Sequence, residues 1–143
     1  MYLIKDELID NARSLNVPIS ILSESDAQSI ISLMGLRYID KCKDGIFIWE
    51  NFIDASHLQD PLGWSYIGNF IGDTFCLIMF YDFDSWVVMR INNGSDLTLL
   101  LGESYGFEFY VMDQNLTYVV CFNHHDQLIC VGEAKRWLDN LRK

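Results

Sequence analysis

The sequence predicts an α+β fold, with an antiparallel sheet of about five strands in the C-terminal half and with N-terminal helices and a C-terminal helix packed on it. Three observations lead there. Apolar residues recur at helical spacing in the first 35 positions and again after 133. Between residues 72 and 132 the pattern turns into short apolar, aromatic and β-branched runs. The separators between those runs are short and rich in turn formers, which favours hairpins over crossovers.

Ile4, Leu8, Ala12 and Leu15 define the first helix, which is expected to stop near Asn16 ahead of Val17-Pro18. Ser25-Asp26-Ala27-Gln28 has the form of a capping box, and Ala27, Ile30, Ile31 and Met34 follow on one face until Gly35. Residues 36–72 are mixed: Lys43-Asp44-Gly45 reads as a turn, 46–52 as a strand or short helix, and Asp60-Pro61-Leu62-Gly63 as another turn. Strands are predicted over 75–81, 86–91, 107–112, 118–122 and 128–131. Ser95 can cap a helical segment over 96–103. The chain then ends in a helix over 133–143, with Ala134, Trp137, Leu138 and Leu141 on one stripe and Arg142 and Lys143 in the last turn.

A chain of 143 residues, 50% apolar and 14% aromatic, is expected to build one core, and residues 1–143 show no repeat, linker or internal boundary. The first residues lack a secretory pattern, and the longest apolar run, 75–81, is too short for a helical membrane span, so the expected location is cytoplasmic. Cys42, Cys76, Cys121 and Cys130 form no C-x-x-C pair, and three of them sit in apolar runs, where cysteine behaves as a small buried hydrophobe. A bridge from Cys121 to Cys130 across a hairpin is disfavoured in a reducing compartment.

The formal charge is −10, and its placement says more than its sum. Residues 44–134 hold thirteen carboxylates against one base, Arg90, which puts −12 on the middle of the chain and leaves −1 before it and +3 after it. Such a surface repels phosphate backbones and disfavours direct nucleic-acid binding, while it attracts basic proteins.

Few residues offer chemistry. His124-His125-Asp126 could hold a metal or move a proton, but the same residues fit a hairpin tip, where side chains diverge and Asp bonds nearby backbone. Asp82-Phe83-Asp84 offers two carboxylates at a spacing of two, again at a turn, and no calcium-loop pattern follows. Glu108, between Phe107 and Phe109 in a strand, is expected to point to solvent or a partner. No nucleophile elbow, P-loop, dinucleotide fingerprint or zincin motif occurs, so the expectation is a binding protein with no cofactor and no metal, not an enzyme. Trp64, Tyr66, Phe83 and Tyr105, each next to a turn signal, are the candidate aromatic anchors.

The C-terminal half, in Gly106-Phe107-Glu108-Phe109-Tyr110, in Cys121-Phe122-Asn123-His124-His125-Asp126 and in Gly132-Glu133-Ala134-Lys135-Arg136-Trp137-Leu138, resembles small bacterial immunity proteins of polymorphic and contact-dependent growth inhibition toxin systems. The resemblance covers roughly residues 70–140. It implies a cytoplasmic antidote that binds a toxin domain, often a basic nuclease, and covers its active site. On that reading Asp82, Asp84, Glu103, Glu108 and Asp126 steer the partner, and Phe83 and Tyr105 anchor it. Two alternatives stay open: an adaptor or regulatory domain of the SMI1/KNR4-like kind, and a small hydrolase using His124, His125 and Asp126.

Overall fold

A computed structural model describes residues 3–40, 48–104 and 106–142. Its frame is a seven-stranded sheet in the order β1-β4-β3-β5-β6-β7-β2, with every neighbouring pair antiparallel. The strands are β1 (Ile19–Ile21), β2 (Ser56–Gln59), β3 (Cys76–Asp82), β4 (Ser85–Ile91), β5 (Phe109–Met112), β6 (Tyr118–Phe122) and β7 (Gln127–Gly132). The five predicted strands are the contiguous centre. The expected count of about five is corrected to seven by the two outer strands, which come from the N-terminal half.

The central strands are apolar along most of their length because both sheet faces are covered there; the exceptions, such as Asp82, Ser85, Arg90 and Gln127, fall at or next to strand ends. Along β3, Cys76, Ile78 and Phe80 face one core with Met89, Ile91, Val111 and Val120, while Leu77 and Met79 face a second core with Val88, Tyr110, Met112 and Ile129. The first core lies under helices α1 (Ile4–Leu15), α3 (Ile67–Ile71), α4 (Gly94–Glu103) and α5 (Ala134–Leu141). The second lies under α2 (Glu24–Tyr38) and the segment carrying Ile48, Trp49 and Phe52. Alternation along a strand thus serves two apolar interiors, and a continuous hydrophobic run is the outcome.

Helix ends differ from expectation in instructive ways. α1 stops where predicted, with Asn16 in the left-handed region at φ 58° and its N–H on the carbonyls of Ala12 and Arg13. The N-cap of α2 is Ser23, not Ser25: its hydroxyl accepts from Asp26 N at 3.1 Å. Gly35 does not end α2, which runs on to Tyr38 because Arg37 and the Tyr38 hydroxyl donate to carbonyls at Asn115 and Leu116 in the β5–β6 turn. Those tertiary bonds offset the roughly 1 kcal/mol a helical glycine costs. α4 is capped by Asn93 rather than Ser95, at 2.8 Å from Asp96 N, and starts two residues earlier than a Ser95 cap allows. The reason is Gly94: a Cβ there would lie 2.0 Å from the carbonyl oxygen of Gly68, so α3 and α4 meet backbone to backbone where only glycine fits.

The turn at Asp60 forms, with Gly63 N on Asp60 O at 2.9 Å. Of the 46–52 segment, Ile48–Asn51 is one 3₁₀ turn and Phe52 bridges to Ile39. The predicted turn at Lys43-Asp44-Gly45, Ile46 and Phe47, Cys42, Tyr105 and the terminal Lys143 lie outside the described residues. Cys76, Cys121 and Cys130 are free and buried. Cys121 and Cys130 belong to opposite faces of the β6–β7 ladder, so they cannot bridge.

Candidate functional site

The strand registers gather most of the predicted partner residues at one end of the sheet. Asp82 pairs with Ser85 across the β3–β4 turn, Met79 pairs with Tyr110, and Phe109 pairs with Phe122. Two residues beyond the Met79–Tyr110 pair, Glu108 stands level with Tyr81, and the β6–β7 turn carrying His124, His125 and Asp126 lies beside it. The first turn of α1 reaches the same end through Asp82, and the last turn of α4 comes down beside Phe107 and Phe122. Glu24, in the first turn of α2, borders the start of β4.

Charge follows this topology. Asp6, Glu24, Asp84, Glu103 and Asp126 are exposed at that end and make no side-chain hydrogen bond or ion pair among the described residues. Lys5, in the first turn of α1, is a base at this end, beside Asp84 and Glu24, and four other bases lie toward the opposite end. Arg13 closes α1, Arg37 holds the β5–β6 turn, Arg90 lies 3.9 Å over the Phe75 ring, and Lys135 pairs with Asp54 at 2.8 Å. The sheet axis therefore separates an end with unneutralised carboxylates from one where acids and bases interleave.

The predicted residues fare differently within this arrangement. Phe83 is 66% exposed at the tip of the two-residue β3–β4 turn, with φ +66°, and Asp84 beside it is exposed with its N–H on Asp82 O at 2.8 Å. Asp126 is exposed at the β6–β7 tip with φ +59°. Glu103 is exposed at the C-terminus of α4, where the helix dipole disfavours a carboxylate.

Two expectations are corrected. Asp82 is 6% exposed, and its two carboxylate oxygens accept from Ile4 N and Lys5 N at 3.0 Å each. It caps α1, whose own N-cap residue, Leu3, has no side-chain acceptor, and it is not offered to a partner. Continuing the alternation from Ile78 and Phe80 puts position 82 on the α1 face, which is the signal in the sequence that identifies it. Glu108 is not a solvent-facing carboxylate: its side chain is 16% exposed and accepts from Trp49 Nε1 at 2.9 Å, His124 N at 3.2 Å and His124 Nδ1 at 2.8 Å.

That last contact belongs to a cluster. The His124 and His125 rings lie 4.0 Å apart instead of diverging, and the Trp49 ring stands edge-on to both with centroids at 6.0 Å. Asn123, buried, accepts from His125 N at 2.9 Å and Gln127 N at 3.1 Å and so sets the turn, as its residue types predict. Trp49 had no sequence signal, because it meets Glu108 across 59 positions. Among the described residues no group of three or more His, Cys, Asp or Glu side chains could hold a metal ion. The cluster fastens the 48–52 segment to the sheet.

An apolar recess of about 170 Å³ opens beside Glu103, lined by Trp64, Leu101, Phe107, Phe109 and Phe122, with Ser104 already bonded to Leu100 O and Asn11. Trp64 is half-buried in this wall, and the Tyr66 hydroxyl donates to Asp60 at 2.8 Å, a bond that raises its pKa. Neither ring is a free anchor. No helix among the described residues is long and apolar enough to cross a membrane. No protein-family model, curated protein or solved structure matches the chain.

Proposed function

We propose that this protein is a binding protein of the immunity type, a cytoplasmic antidote whose acidic sheet end captures a basic toxin domain, with a nuclease as the expected kind. One observation carries the reading: exposed Asp84, Glu103 and Asp126 share an end with the bare ring of Phe83, while the bases paired with acids lie at the other. An arrangement of this kind steers a cationic partner by its field and holds it through a few desolvated anchors. Carboxylates in such a patch take the place of the phosphates a nuclease binds. Because Asp82 and Glu108 are bonded within the fold, the steering set reduces to Asp84, Glu103 and Asp126, with Asp6 and Glu24 added.

An adaptor would use the same surface, and inhibition of the partner's activity separates the two readings. Hydrolysis has less support, since Glu108 and His124 are committed to Trp49 and to the turn. The test is stopped-flow association with the basic domain encoded beside this chain, at rising salt. The expected on-rate falls by about tenfold or more between low and high ionic strength, and replacing Asp84, Glu103 and Asp126 by Lys removes that dependence. An on-rate indifferent to salt removes the acidic end from the recognition step.

A further inference from the structure

The sheet is not closed on the β1 side. β1 covers only the far half of β4, pairing Ile19 with Ile91, Ser20 with Arg90 and Ile21 with Met89. The ladder ends where Leu22 N donates to Val88 O at 2.9 Å, after which the chain leaves the sheet for α2. Ser85, Trp86 and Val87 have β3 on one side and no strand on the other. Since the Val88 carbonyl faces the β1 side, the strand period of two turns the Trp86 N–H and C=O the same way. Neither group has a hydrogen-bond partner on that side among the described residues.

A groove of about 480 Å³ runs along this open backbone. Ile21 and Leu22 close one end, Ala27, Gln28 and Ile31 of α2 form one wall, and Asp84 to Val88 form the other. Ile21 is 46% exposed there. The ionisable groups facing the groove are Glu24, Asp84 and Lys5, and Asp26 stands in the same turn of α2 as Glu24, so acids outnumber the single base.

We propose that this groove receives an extended, basic and apolar segment of a partner protein, which adds to β4 as a strand in line with β1. The segment's backbone satisfies Trp86, its apolar side chains meet Ile21 and Ile31, and its cationic side chains face Glu24 and Asp84. Charge selects this occupant over a second copy of the chain, because two molecules of net charge −10 would bring like charges to an already acidic groove. The inference rests on the acidic-end reading above, to which it adds the conformation of the bound segment.

The test uses the full-length ¹⁵N-labelled protein and three capped heptapeptides: alternating Lys and Val, alternating Glu and Val, and the Lys/Val peptide with every peptide nitrogen methylated. The Lys/Val peptide is expected to shift the Trp86 and Val88 amides and slow their exchange, and the Glu/Val peptide to leave them unchanged. Methylation is expected to weaken binding by about tenfold through the lost backbone donors. Glu24→Lys, at an exposed position, is expected to weaken the Lys/Val peptide and admit the Glu/Val one. Equal affinity of the methylated peptide, shifts confined to the β2 edge, or no shift at all overturns strand addition. Salt-dependent capture of the whole basic domain with no peptide effect removes only the groove. Peptide binding without capture of that domain removes the acidic-end reading and leaves the groove.

Discussion

Phe83 is placed where its own chemistry gains least. A bulky L-residue in the left-handed region costs about 1–2 kcal/mol, and a ring that is 66% exposed recovers little of that by burial. Phe83→Gly is therefore expected to raise the unfolding free energy in urea by about 1 kcal/mol, while association with the basic domain weakens because an anchor is lost. A stability gain without any loss of binding would strip Phe83 of its role. The buried thiols give a second residue-scale prediction. Burial pushes Cys76 and Cys130 from 9.0 up to about 12 and moves Cys121 in the same direction. Below pH 9 both folded and unfolded chains keep these protons. Between 9 and 12 only the unfolded chain releases them, so their contribution to stability is complete below 9 and falls as pH rises through that window. In a Cys42→Ser background, a thiol reagent at pH 8 is expected to label the native protein slowly and the urea-unfolded protein at once. Fast labelling of the native chain would contradict the burial.

At the scale of elements, α1 depends on a residue 78 positions away. Removing its cap with Asp82→Ala leaves the N–H groups of Ile4 and Lys5 without their acceptor and is expected to cost about 2 kcal/mol. Amide exchange in the first turn of α1 should accelerate more than exchange in β3. Equal acceleration in both would mean that Asp82 acts on the sheet instead. This dependence also explains what could be read beforehand. The five central strands were legible because two cores make them apolar at most positions, and α1 was legible because its stripe ends at an Asn suited to φ 58°. β1 was not, since three residues are too few to display a period. Nor was β2, where Leu58 is the one apolar side chain of an edge strand that buries a single face. The candidate site divides in the same way. Phe83, Asp84 and Asp126 follow from turn chemistry, whereas the inward turn of Asp82 and the pinning of Glu108 depend on elements 78 and 59 positions distant.

For the molecule as a whole, the net charge of −10 is a cost to the fold wherever carboxylates have no local partner. Asp84, Glu103 and Asp126 are in that position, and Glu103 also opposes the dipole of α4. Changing all three to Lys reverses three charges, taking the net from −10 to −4, and relieves repulsion along the acidic end. The triple variant is expected to unfold at the same temperature as the parent or a few degrees above it, roughly the response of a domain this size to small stabilising changes. Asp54→Lys behaves oppositely, because it places a cation against Lys135 where a 2.8 Å ion pair stands. Calorimetry of the two variants at low and high salt tests the charge map without any partner: the gain in the triple variant should shrink as salt screens the repulsion. A triple variant that melts well below the parent at every salt concentration would mean that these carboxylates hold the fold together, and a patch needed for folding cannot be the one kept free for a partner.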